Sequence, residues 1–202
     1  MSVNIDVRSL LAPGKHALSL GRVPEVVALI EAQPRLATRL IQLLWDNDPG
    51  IAQRAADVLE RVSRKPSPSL ARILTNSKDA LLGLLTEAQL KKLRWNLALT
   101  LGRLPLTPPD CRRAAAAFQT YLNDPSSIVK TAALQGLADL TRHDPSQLPA
   151  VIDLLRIHGR SGTPAMRARS RILLIKLEKR ERTPHQRQPQ NEKSRPKGAF
   201  SQ

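Results

Sequence analysis

A chain of 202 residues is long enough for one domain with a substantial core or for one short repeat array. Apolar residues make up 41% of it but aromatics only 2%, so a core must be built from Leu, Ile, Val and Ala, a composition that favours packed helices over sheets. The formal charge is +15, and Cys111 is the only cysteine, which excludes an intrachain disulfide and a cysteine-based zinc cluster.

From the N-terminus, residues Met1–Leu10 are polar and carry Asp6 and Arg8, unlike the apolar stretch of a secretory signal. No apolar run approaches the roughly 20 residues needed to span a bilayer. The expectation is a soluble cytoplasmic protein with no membrane partner. Val7–Leu11 reads as a short helix and Val23–Ala32 as a longer one, together a degenerate capping repeat over residues 1–33.

Four segments then superimpose without gaps: Ile51–Val62, Leu93–Leu104, Val129–Leu140 and Met166–Leu177, with starts 42, 36 and 37 residues apart. Their first column is Ile51, Leu93, Val129 and Met166, and their fifth is Ala55, Leu97, Ala133 and Ser170. Two later columns read Leu59, Leu101, Leu137, Leu174 and Val62, Leu104, Leu140, Leu177. At about 100° per residue these positions share one helical face, so each segment is an amphipathic helix presenting the same face inward. A second helix precedes each: Pro34–Leu44, Ser77–Leu85 after a shorter turn at Pro68–Leu74, Pro108–Leu122 and Pro145–Ile157.

Helix starts are marked by a capping residue followed by proline at Asp48-Pro49, Ser67-Pro68, Thr107-Pro108, Asp124-Pro125, Asp144-Pro145 and Thr163-Pro164. The side-chain oxygen accepts from an orphan backbone N–H, and proline at the first helical position loses nothing by lacking its own. Thr86 with Gln89 reads as a capping box.

Asp46, Asp48 and Pro49, and above all the run Leu93–Leu104, resemble HEAT and HEAT-like repeats over roughly residues 34–181. The resemblance implies an all-α, short right-handed α-solenoid of about four to five helical hairpins, with the array over residues 34–182. It also implies a basic column at Arg94, Lys130 and Arg167 (Ala52 in the first repeat), served by loop acids at Asp46 or Asp48, Glu87 and Asp124. The architecture serves many partners and says little about function.

Beyond Arg182 the periodicity stops. Residues 183–202 are rich in Pro, Gln, Lys and Arg and cannot bury enough apolar surface to offset an ordering entropy of roughly 1–2 kcal/mol per residue, so a disordered basic tail is expected. From Arg160 onward the net charge is +9, against +6 for the first 159 residues, which directs attention to acidic partners.

No catalytic constellation stands out, and neither an enzymatic activity nor a cofactor is expected. His16, His143, His158 and His185 have no ligand spacing. The glycines are scattered singly, so there is no phosphate-binding loop. Cys111, in the first turn of a helix and followed by Arg112 and Arg113, is either a small buried side chain or a thiol activated by the helix dipole.

The candidate binding surface is a basic helix-end stripe. It begins with Arg61, Arg64, Arg103 and Arg142, which lie off the apolar face and so on an exposed edge; Asp139 and Leu106 interrupt it. It continues through Arg167, Arg169 and Arg171 to Lys176, Lys179 and Arg180. Cations also favour helix C-termini for their dipole alone.

The leading reading is a non-enzymatic scaffold for a protein partner. The alternative is weak, non-specific nucleic-acid binding through the stripe and tail. A third reading starts from Trp45-Asp46 and Trp95, which give a superficial similarity to HEAT-like alkylpurine DNA glycosylases, enzymes that use tryptophans and a catalytic aspartate. Against it, Asp46 belongs to an ordinary repeat loop and the aromatic supply is too thin for base stacking.

Overall fold

The computed structural model describes residues 5–12 and 21–185, and among them every regular element is helical. The helices are α1 (Val7–Leu11), α2 (Val23–Ala32), α3 (Ala37–Gln42), α4 (Pro49–Val62), α5 (Pro68–Asn76), α6 (Lys78–Glu87), α7 (Lys91–Leu101), α8 (Pro108–Tyr121), α9 (Ser127–Leu140), α10 (Leu148–Ser161) and α11 (Pro164–His185). Short 3-10 turns at Pro34–Leu36 and Leu43–Trp45 flank α3, and another at Pro145–Gln147 leads into α10. Together they form five hairpins.

The second helices of these hairpins form an inner row, α2 on α4, α4 on α7, α7 on α9 and α9 on α11, while α8 and α10 pack chiefly on their own hairpin partners. The sequence columns explain this row. Ile51, Leu93, Val129 and Met166 are all buried, as are Ala55, Leu97, Ala133 and Ser170, and Val62, Leu104, Leu140 and Leu177. Leu59, Leu101 and Leu137 are buried too; only Leu174, in the terminal helix, stays half-buried.

Four of the six capping residues cap as expected. Asp48 accepts from the amides of Gly50 (2.7 Å) and Ile51 (3.4 Å), Ser67 from Leu70 (3.4 Å), Thr107 from Asp110 (3.4 Å) and Thr163 from Met166 (3.3 Å). Asp124 instead closes a turn onto the Ser126 amide (2.7 Å), and α9 starts two residues after Pro125. Asp144 precedes a 3-10 turn and accepts from the side chains of Ser146 and Gln147. The capping box at Thr86 and Gln89 is not formed. Thr86 lies in the last turn of α6 and donates to the Gly83 carbonyl, because the apolar run Leu81–Leu85 carries that helix to Glu87.

Two further boundaries move. The short turn foreseen at Pro68–Leu74 is a nine-residue helix, α5, broken from α6 at Ser77, whose hydroxyl donates back to the Ile73 carbonyl (3.0 Å). At the other end α11 runs through Thr183 to His185, past the boundary set at Arg182. The rest of the tail, like residues 1–4 and 13–20, lies outside the described residues.

Adjacent repeats are also tied by polar contacts. Arg94, at the basic-column position of α7, pairs at 2.7 Å with Asp124, the loop acid ahead of the following repeat helix α9, whereas the loop acid that the HEAT resemblance implies for its own repeat is Glu87. Lys92 pairs with Asp57 of α4 at 2.7 Å, and Asn96 donates to the same carboxylate at 3.2 Å. At the N-terminal end Arg54 of α4 donates to the carbonyls of Leu11 (2.5 Å) and Ala12 (3.3 Å), which joins α1 to the array.

Candidate functional site on the inner face

The C-terminal ends of α4, α7 and α9 converge with the first turns of α11 around a groove of about 590 Å³. Three of its arginines, Arg64, Arg103 and Arg142, stand two residues past the C-terminal ends of α4, α7 and α9, where the helix dipole is negative, and Arg169 comes from the second turn of α11. Arg64, Arg103, Arg142 and Arg169 line it, with two buried carboxylates, Glu60 and Asp139, between them.

Glu60 serves two arginines. Arg64, four residues on and just past the end of α4, reaches its Oε2 at 2.8 Å, and Arg103, just past the end of α7, reaches its Oε1 at 2.8 Å. Arg103 also donates to the Glu60 carbonyl and to the Ser63 hydroxyl, each at 3.1 Å. Burial works to raise the Glu60 carboxyl, but the hydrogen bonds from Arg64 and Arg103 prevail and hold it below the ordinary glutamate range. Asp139 accepts from Arg142 at 2.5 Å and from the Gln135 amide at 2.7 Å, and the Gln135 carbonyl oxygen in turn accepts from Arg169 at 3.4 Å.

An apolar shelf of about 400 Å³ continues the groove, sharing Leu99, Gln135 and Arg169 with it. Trp95, Ile128, Ala132 and Ala165 complete much of its lining, and Ile128 is 54% exposed. Nothing in the sequence singles out Ile128 or Leu99, and Trp95 stands out there only as a residue that could stack on bases. The groove can hold anionic groups against guanidinium donors, with apolar contact alongside.

The predicted stripe is therefore not one exposed edge. Arg64, Arg103, Arg142 and Arg169 are brought together, but Arg103 is half-buried, and Asp139 and Leu106 at neighbouring stripe positions are buried. A position that looks exposed on its own helix is covered here by the preceding repeat. Arg61 is half-buried in α4 and does not line the groove. Arg180 is spent on α9, donating to the Thr141 carbonyl at 2.9 Å and its hydroxyl at 3.3 Å. Arg167 turns back to the Gly162 carbonyl at 2.9 Å. Arg171, Lys176 and Lys179 are exposed on α11.

The other singled-out residues do not line the groove, and His16 lies outside the described residues. Cys111 is fully buried and its thiol is pushed up by that burial, the opposite of an activated nucleophile. His143 and His158 are half-buried and pushed down, first by burial and then by the neighbouring cations Arg142 and Lys130 respectively. Asp46 accepts from Arg8 at 2.7 and 3.0 Å and from the Asp48 amide at 2.9 Å, and the Arg8 hydrogen bond holds its carboxyl down. Trp45 stands 47% exposed at the end of an outer turn, whereas Trp95 faces the inner shelf. Among the described residues no cluster of His, Cys, Asp or Glu could hold a metal ion, and no helix is long and apolar enough to cross a membrane.

This fold defines a helical repeat protein, a short α-solenoid. Among solved structures the chain is similar to an engineered protein determined by crystallography, with a TM-score of 0.61 at 15% identity over 85% of this chain and 78% of that one. A designed armadillo repeat protein superimposes with a TM-score of only 0.39 at 11% identity, over 84% of this chain and 98% of that one. No protein-family profile matches the chain, and no curated protein matches it. The first likeness bears on fold alone.

Proposed function

We propose that the protein is a non-enzymatic, cytoplasmic scaffold of the HEAT-like kind that binds another protein along its inner face. The observation that carries this reading is the continuity of the arginine-lined groove with the apolar shelf around Trp95 and Ile128. Protein interfaces combine an apolar centre with arginine and aromatic anchors and a polar rim, and this concavity offers those elements on one rigid row of helices.

The test is site-specific photocrosslinking in cells. A photoreactive side chain at Ile128 should capture a discrete protease-sensitive species, and the same group at Arg72, exposed on α5 of the outer row, should not. Equal capture from both positions would remove the inner face from the interaction.

A second reading, weak and sequence-independent nucleic-acid binding, is favoured by one observation: α11 exposes Arg167, Arg169, Arg171, Lys176 and Lys179 along its length. It places the nucleic acid on the terminal helix, outside most of the groove.

A further inference from the structure

We infer that the groove receives a short segment of a protein partner in which an acidic side chain stands a few residues from a large apolar one; this rests on the scaffold reading above. The acidic side chain is set by charge. Four guanidinium groups face two carboxylates in the groove, leaving a local excess of two positive charges. Arg64 and Arg142 face solvent, with side chains 62% and 44% exposed. Each is fixed by one buried carboxylate, which orients the guanidinium, and a guanidinium has five N–H donors, enough to take a second carboxylate. Arg169, at the boundary between groove and shelf, donates to the Gln135 side-chain oxygen at 3.4 Å.

The apolar side chain is set by the shelf. Ile128 is exposed and Trp95 and Leu99 half-buried on a surface that also opens onto Arg169, so one ligand can meet both chemistries. A small inorganic anion would leave the shelf empty. A nucleic-acid backbone would bring phosphates against Glu60 and Asp139 and gain little from an excess of only two charges. A peptide with one acidic and one apolar anchor matches both halves and adds ordinary area burial on the shelf.

The experiment selects binders from a displayed random-peptide library on the immobilised full chain, then measures synthetic copies by fluorescence anisotropy. The winners should pair Asp or Glu with Leu, Ile, Phe or Trp a few residues away. Their affinity should fall about tenfold for the double variant Arg64→Gln, Arg142→Gln and about fivefold for Ile128→Ser, with unchanged circular dichroism. These positions are exposed, and Glu60 keeps Arg103 while Asp139 keeps Gln135, so the fold survives the changes.

Winners without acidic residues, winners that bind the variants as well as the parent, or no winners at all overturn the inference. So does a short DNA duplex whose binding these substitutions weaken as much as the peptide's, since the groove would then be a polyanion site. Acid-free winners together with protein capture from Ile128 leave the scaffold reading standing; no winners and no capture remove both.

Discussion

Gly102 and Gly136 meet backbone to backbone where α7 packs on α9: a Cβ built on Gly102 would lie 2.9 Å from the Gly136 Cα. One built on Gly136 would lie 2.7 Å from the Phe118 ring and 2.9 Å from the Ala98 carbonyl oxygen. Neither backbone can yield without separating two repeats. This close approach sets the spacing of the inner row at the groove, since Leu99 and Arg103 flank Gly102 on one side and Gln135 and Asp139 flank Gly136 on the other.

Alanine at these two glycines should therefore destabilise the protein although alanine is the better helix former. Overpacking costs about 1–3 kcal/mol, against a propensity gain of about 1 kcal/mol. Gly136→Ala, which meets both a buried ring and a carbonyl, should lower the melting temperature. Gly83→Ala is the control: nothing lies within 4 Å of its Cβ position in α6, so the same substitution should raise stability by about 0.5–1 kcal/mol. Thermal melts of both variants check the opposite signs.

The core columns make a second prediction. Leu101 and Leu137 are 0% and 2% exposed, and truncating either to alanine should cost about 2–5 kcal/mol. Ile175, two residues before the buried Leu177 and 72% exposed, should accept serine within about 0.5 kcal/mol. Denaturant unfolding of the three variants distinguishes the inner face of the row from its terminal surface.

These columns are legible in the sequence because each depends on one helix alone: a face repeated at the same steps is visible wherever the chain folds back on itself. The groove is only half legible. Arg64, Arg103, Arg142 and Arg169 can be named, but the sequence places Arg103 on an open edge, and only the preceding repeat supplies the Glu60 that half-buries it. Trp95 and Leu99 line the shelf at positions where the third repeat helix has Thr131 and Gln135, so no shared column announces them. The capping box at Thr86 fails because a local hydrogen-bond pattern yields to the apolar run that lengthens α6. The register between repeats is a tertiary fact, and the site lies between repeats.

The Glu60 cluster gives a pH dependence. Its carboxyl is held below the ordinary value of 4.5 in the folded chain, so the stability it contributes is fully present above that value and lost as pH falls through the lower folded one. Glu60→Gln should remove this contribution and flatten the decline of stability with acid below about pH 4.5. Because Arg64 and Arg103 can partly rehydrate, the neutral-pH cost should stay within about 1.5–3 kcal/mol, the range for hydrogen bonds to charged groups. Urea unfolding across the acid range is the measurement; an unchanged acid slope would mean that the cluster is not formed.

Cys111 should be silent in the native state. It is fully buried and its thiol is raised by burial, first of all, and by Asp144 and Asp110. A disulfide reagent at neutral pH should modify it only at the rate of global or local opening and promptly in denaturant. Fast stoichiometric labelling of the folded protein would contradict the packing of α8.

Arginines in the groove and cations on α11 should separate two kinds of binding. If α11 attracts nucleic acid, Arg171→Glu with Lys176→Glu should weaken retention of a short DNA duplex and flatten its salt dependence. Each lost phosphate contact takes about 0.9 from the slope of log affinity against log salt. Both residues are exposed on α11 and neither lines the groove or the shelf, so peptide binding should be untouched beyond a small long-range effect. Arg64→Gln with Arg142→Gln should do the reverse, since those residues stand just past the ends of α4 and α9 with their charge already opposed by Glu60 and Asp139. Retention at several salt concentrations, run beside peptide anisotropy on the same four proteins (parent, each pair and the combination), reads both effects. Parallel losses in both assays would mean one continuous basic surface; independent losses would locate peptide recognition in the groove and polyanion attraction on the terminal helix.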